Sequence, residues 1–254
     1  MKEAKMKNFN YLFLGLVAGF CSAALGIGGG VVMVPVLMLL FGYEIKKAIG
    51  TSLATIVPTS FVGIIAHYAI ESGNIKFLTA LCIIMGSIIG AKFGANLANK
   101  ISGKILRRLF ALLLLFVGLK LANIINIPTE AVSNITVFPF LIILGLVAGS
   151  ASALFGIGGG VIMVPVLNLF FGLSMHEAIA TSLTVILPTT FAGTIFHKKF
   201  DNINNKAIKF LIPTALIGAV FGAIVANSLP SDTLKIIFGI FMILCSIRIF
   251  LQRQ

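Results

Sequence analysis

Four long stretches of this chain, residues 9–42, 48–70, 136–172 and 210–231, contain no Asp, Glu, Lys or Arg. A run of about 20 apolar residues spans the hydrocarbon core of a bilayer as a helix. Soluble domains intersperse charge throughout, at roughly a quarter of their residues. Here only 10% of residues are charged and 59% are hydrophobic. Inside lipid every backbone N–H and C=O needs an internal partner, which leaves helices and closed barrels. A barrel would read as short segments of alternating polarity. The runs therefore predict an all-α polytopic membrane protein. The three lysines that precede the first apolar run, Lys2, Lys5 and Lys7, are followed by no small-residue cleavage site and polar mature region. We expect that first helix to be retained.

The chain also repeats itself. GLVAGFCSAALGIGGGVVMVPVLMLLFG (15–42) matches GLVAGSASALFGIGGGVIMVPVLNLFFG (145–172) at an offset of 130. AIGTSLATIVPTSFVGIIAH (48–67) matches AIATSLTVILPTTFAGTIFH (178–197), and GAKFGANLAN (90–99) matches GAVFGAIVAN (218–227). Two repeats are expected, 1–125 and 136–254, joined by a polar linker at 126–135 and forming one integrated membrane domain. Each half reads as five helical segments. They run roughly 9–26, 30–43, 47–70, 76–98 and 104–123, then 136–156, 160–173, 177–197, 206–228 and 233–251. The first two of each set are short and are separated by a Gly-rich break. They are either short crossings or a re-entrant hairpin, and in both cases each half makes an odd number of crossings.

Charge supports that parity. With the N-terminus in the cytoplasm, 15 of the 19 Lys and Arg fall at cytoplasmic ends, Lys76, Lys120 and Lys235 fall outside, and Lys92 lies within a helix. This is the positive-inside bias. Equivalent loops carry opposite bias: Lys46–Lys47 corresponds to His176–Glu177, and the Lys100–Arg108 cluster corresponds to a stretch holding only Asp232 and Lys235. The halves are expected to be inverted repeats, a pattern typical of secondary transporters, with both termini in the cytoplasm.

The candidate solute site is built from repeated residues. Gly26, Gly28, Gly29 and Gly30, and their counterparts Gly156, Gly158, Gly159 and Gly160, precede helices starting near Val31 and Val161. The first N–H groups of a helix lack intrahelical partners and attract anions. The alternative is that the glycines serve only close helix approach. No strand precedes them, so a nucleotide loop does not fit. Thr51, Ser52, Pro58 and Thr59 recur as Thr181, Ser182, Pro188 and Thr189. Each Pro kinks a mid-membrane helix, and the hydroxyls either contact solute or satisfy the freed carbonyls. His67 and His197 suit proton coupling by their titration range, although a histidine at a helix end is more commonly interfacial. All seven acids lie in loops or at segment ends, which favours an anionic or neutral solute. Cys21, Cys82 and Cys245 have no metal spacing and are expected to pack. No metal or cofactor is expected.

The duplicated AGxxSxxxGIGGG-V-x-MVPVL block, the A-x-TS-L segment and the GAxFGAxxAN segment resemble the sulfite exporter TauE/SafE family, the toluene sulfonate uptake permeases. The resemblance covers nearly the whole chain. It implies a transporter of the cytoplasmic membrane that moves sulfite, an organosulfonate or a related oxyanion, with seven to ten membrane segments. The expected partners are that solute and the lipid bilayer, with no nucleic acid; a homodimer is left open. A passive anion channel or a non-transporting membrane scaffold is the competing reading. An enzyme is not expected, because no HExxH, interior acid pair or nucleophile with an adjacent base is present.

Overall fold

In the computed structural model the described residues are 2–70, 75–102, individual positions between 104 and 119, and 137–251. Nine helices have defined bounds: α1 Lys2–Leu25, α2 Gly30–Phe41, α3 Ile45–Ile70, α4 Phe77–Lys100, α5 Val137–Phe155, α6 Gly160–Leu169, α7 Met175–Lys199, α8 Asn205–Ser228 and α9 Ser231–Leu251. The described positions from 104 to 119 are helical too, and no strand occurs among the described residues. The polytopic all-α expectation is met. The linker expected at 126–135 lies outside the described residues. α1 begins seven residues before the apolar run does, because nothing interrupts the helix across its leading lysines.

Five helices, α3, α4, α5, α7 and α8, are long and apolar enough to cross a membrane. α2 and α6 are not. With 12 and 10 residues they extend about 18 and 15 Å, well short of a hydrocarbon core of about 30 Å. α2 folds back along α1: Tyr11, near the start of α1, stacks on Phe41 at the end of α2 with ring centroids 4.1 Å apart. In the second half Phe140, near the start of α5, and Phe171, two residues past the end of α6, approach to 6.0 Å. Each Gly-rich break is thus the turn of a helical hairpin whose open end lies where the chain entered it.

Small residues set the tightest helix pairs. α4 packs along α5 and α1 along α8, each pairing a helix from one half with one from the other. A methyl placed on Gly86, Gly90 or Gly94 would overlap the carbonyl of Ile142, Leu146 or Ser150. One on Gly15, Gly19, Gly218 or Gly222 would overlap the carbonyl of Leu211, Ala215, Leu16 or Phe20. Spacing glycines four apart on one helix face permits this backbone-to-backbone approach, the usual basis of helix association in lipid.

α3 and α7 cross at the centre. Gly63 lies against Leu183 and Gly193 against Leu53, so the helices are antiparallel, with Pro58 and Pro188 midway between those contacts. Around them the core is dense with Ile, Leu, Val, Met and Ala. Many large apolar side chains point outward instead, among them Phe13, Phe61, Met85, Phe93 and Phe221, as expected of a surface solvated by lipid rather than water.

Candidate functional site

The two glycine breaks meet. A methyl on Gly30 would overlap the Gly156 carbonyl, and one on Gly160 would overlap the Gly26 carbonyl. Gly28 rests on Ile56 and Gly158 on Ile186, both near the midpoint of the α3–α7 crossing. All eight glycines are buried. Gly26, Gly28 and Gly29 have φ of 65°, 79° and 73°, and Gly156, Gly158 and Gly159 have 72°, 82° and 86°. An L side chain there costs roughly 1–2 kcal/mol per residue, so the left-handed conformation explains the glycines as well as the close approach does.

A left-handed Gly29 followed by a helical Gly30 turns successive N–H groups to one side, the arrangement of an anion-binding nest. No side chain caps α2 or α6. Among the described residues no hydrogen bond reaches the amides of Gly28 through Val31 or of Gly158 through Val161.

The hydroxyls flanking the breaks have definite partners. Ser52 Oγ donates to the Gly156 carbonyl at 2.8 Å, and Ser182 Oγ donates to the Gly26 carbonyl at 2.9 Å. Each serine therefore clamps the break of the opposite half. Thr51 Oγ1 donates to the Lys47 carbonyl and accepts from the Asn204 amide; Thr181 Oγ1 accepts from the Lys76 amide. These threonines anchor the chain leading into α8 and α4, away from the breaks. Beyond Pro58, Thr59 Oγ1 donates to the Thr55 and Ile56 carbonyls at 3.2 and 2.9 Å. Beyond Pro188, Thr189 Oγ1 is within 2.7 Å of the Val185 carbonyl and 2.6 Å of Ser87 Oγ. Each hydroxyl turns back onto a carbonyl of its own helix, and none of these is the carbonyl four residues before the proline, that of Ala54 or Thr184.

His67 and His197 are wholly buried within the protein. His67 Nε2 donates to the Ala23 carbonyl and His197 Nε2 to the Ala153 carbonyl, both at 2.8 Å. A carbonyl only accepts, so Nε2 carries the proton. His67 Nδ1 faces the Asn227 amide nitrogen at 2.9 Å, and His197 Nδ1 faces that of Asn202 at 3.4 Å. Asn202 also donates to Asn99 Oδ1. The carbonyls taken by the histidines belong to the last turns of α1 and α5, whose C=O groups lack helical partners.

Sequence reasoning missed several of these residues. Asn227 and Asn99 lie in the repeated GAxFGAxxAN segment, but their partners, His67 for Asn227 and Asn202 for Asn99, are 160 and 103 residues away in sequence. Ser22 and Ser152 lie in the repeated block without having been singled out. They are 1% exposed each, and their hydroxyls alone among buried described side chains lack any hydrogen-bond partner.

The two ends of the molecule differ. At one end Lys46 Nζ donates to the Asn99 carbonyl. There Tyr11, Tyr43, Asn204, Lys206, Ala207, Lys209 and Phe210 line a cavity of about 340 Å³. At the other end Lys76 Nζ pairs with Glu177 Oε1 at 2.7 Å, and His176 Nε2 lies 3.1 and 3.0 Å from the carbonyls of Ala226 and Leu229. The reversal of charge between equivalent loops thus becomes a difference between two ends.

Long apolar helices with half-length helices meeting at buried breaks define a multi-pass helical membrane protein of the transporter class. The chain belongs to the Sulfite exporter TauE/SafE family, whose pattern it matches over residues 2–121 and 141–254. It is 28% identical over 255 residues to the Probable membrane transporter protein YunE of Bacillus subtilis (strain 168), covering 91% of this chain and 93% of that one. It is 30% identical to the Probable membrane transporter protein YdhB of the same organism, covering 87% and 90%. The Probable membrane transporter protein MJ0441 of Methanocaldococcus jannaschii is 31% identical, covering 73% and 70%. No solved structure matches the chain.

Proposed function

We propose that this membrane transporter is a secondary carrier of a small anion, sulfite, an organosulfonate or a related oxyanion, working by alternating access in the cytoplasmic membrane. The observation that carries this reading is the pair of unpartnered amide rows that open α2 and α6 beside the meeting breaks. Helix N-termini favour negative charge, and among the described residues no Asp or Glu is buried to oppose it. Gly26, Gly28, Gly29 and Gly30 with Gly156, Gly158, Gly159 and Gly160 form the solute site. Ser52 and Ser182 hold the breaks in register, Thr51 and Thr181 fix the adjoining chain, and Pro58, Thr59, Pro188 and Thr189 shape the central crossing. His67 and His197 lock helix ends rather than carry a coupling proton.

The halves, 1–125 and 136–254, act as inverted repeats within one membrane domain, both termini in the cytoplasm. Reciprocal contacts support the exchange: Ser52 to Gly156 with Ser182 to Gly26, and His67 to Ala23 with His197 to Ala153. Breaks that touch leave the site closed, so uptake requires the α1–α2 and α5–α6 hairpins to part. Purified protein in liposomes should take up sulfite or a sulfonate with saturable kinetics. Flux that rises linearly without saturation would point to a channel, and no flux to a scaffold.

A further inference from the structure

We infer that Ser22 and Ser152 are the side-chain ligands of the transported oxyanion, completing with the α2 and α6 amides two equivalent half-sites. This rests on the anion-carrier reading above and names what that site uses beyond backbone. Buried hydroxyls are hydrogen-bonded as a rule, and in membrane helices they usually turn back to a carbonyl one turn earlier. This protein follows the rule elsewhere: Thr55, Ser60, Thr184, Thr190 and Thr194 all bond the carbonyl four residues before them. Ser22 and Ser152 do not, and both are unpartnered.

Their positions connect the exception to the site. A Cβ on Gly29 would lie 3.4 Å from Ser22 Cβ and against the Ala18 carbonyl one turn earlier on α1. In the second half a Cβ on Gly159 would meet the Ala148 carbonyl, one turn before Ser152, with the Met163 methyl beside it. Ser22 therefore stands beside a left-handed glycine that opens a row of unpartnered amides, and Ser152 is its counterpart at the same offset of 130, one turn after the Ala148 that Gly159 meets. One O–H and several N–H groups, all donors and none neutralised by a carboxylate, suit an acceptor with several oxygens. A sulfite, sulfate or sulfonate headgroup accepts from all of them at once, whereas a halide offers one centre. Neighbouring Ala23 and Ala153 are held through His67 and His197, which fixes the turn that carries each serine.

The test uses purified full-length protein and its Ser22→Ala and Ser152→Ala variants, titrated with sulfite, sulfate and chloride while the unfolding temperature is followed. Bound anion raises that temperature by mass action. In the unliganded protein each substitution should leave the unfolding temperature unchanged or raise it, since no hydrogen bond is lost. Each should weaken sulfite binding by about tenfold or more, the scale of one hydrogen bond to a charged group, with equal effects at the two positions. Chloride should give no comparable shift. Variants that bind sulfite like the parent would overturn the assignment of the serines and leave the amide site standing. Variants that unfold early without ligand would overturn it too, by revealing a structural role. A parent protein that binds neither sulfite nor sulfate would overturn the inorganic-oxyanion form of the anion-carrier reading, and the serine assignment with it. A chloride shift as large as that of sulfite would refute the oxyanion class.

Discussion

At the scale of single residues, two pairs of substitutions separate conformation from contact. Gly30→Ala and Gly160→Ala would drive a methyl into the carbonyl of the opposite break, and buried backbone cannot yield as a flexible side chain does. Both variants should lose folded yield in detergent by size-exclusion chromatography. Gly42 and Gly172, by contrast, hold φ of 67° and 65°, and nothing lies within 4 Å of a methyl added by Gly42→Ala or Gly172→Ala. They should fold, at a cost of roughly 1–2 kcal/mol. Gly15 and Gly145, earlier in the same hairpins, give no mild comparison, since each is packed against backbone of a neighbouring helix. Ser52→Ala and Ser182→Ala test the clamps. Each strands one buried carbonyl, a loss of about 1–3 kcal/mol. The unfolding temperatures should drop by similar amounts, because the two bonds are equivalent.

Among the elements, the breaks were legible in the sequence and their use was not. Glycine runs interrupting apolar segments announce a turn, but whether the second piece crosses or returns depends on its length and on where its far end packs. The stacking of Tyr11 on Phe41 settles that for α1 and α2. Hydroxyls near a proline announce a polar crossing, yet the partners of Ser52 and Ser182 lie 104 and 156 residues away, beyond any local pattern. The histidines read as interfacial because α3 and α7 end soon after them; Asn227 and Asn202 cover them from other elements. This makes a further expectation. His67→Phe keeps the ring's bulk but abandons the Ala23 carbonyl and the Asn227 amide, and it should lower the unfolding temperature. His67→Gln keeps an N–H donor and should recover most of that loss. Transport by the Gln variant should keep its parent's pH dependence; a lost dependence would make His67 a proton carrier instead.

For the molecule as a whole, the repeat and the charge asymmetry are the features the sequence stated most directly, and the inversion they imply has a direct measurement. Gly42 and Gly172 are equivalent positions, at the open ends of the α1–α2 and α5–α6 hairpins, and both are exposed with open space around them. Copies facing the same way would put both on one side of the membrane. Inverted copies put them on opposite sides. The end that includes Gly42 carries Lys46, Lys206 and Lys209, and the end that includes Gly172 carries the Lys76–Glu177 pair. The positive-inside bias assigns the first to the cytoplasm. In intact cells a membrane-impermeant thiol reagent should therefore label Gly172→Cys and spare Gly42→Cys until the membrane is permeabilised, with the parent protein and its native Cys21, Cys82 and Cys245 as the blank. Cysteines next to Lys5 and Arg253 should behave like Gly42→Cys. Labelling of both hairpin ends from outside would mean parallel copies, and the two amide rows could not then be approached alternately from the two faces. Labelling of Gly42→Cys alone would keep the inversion and reverse the protein in the membrane, placing its lysine-rich end outside.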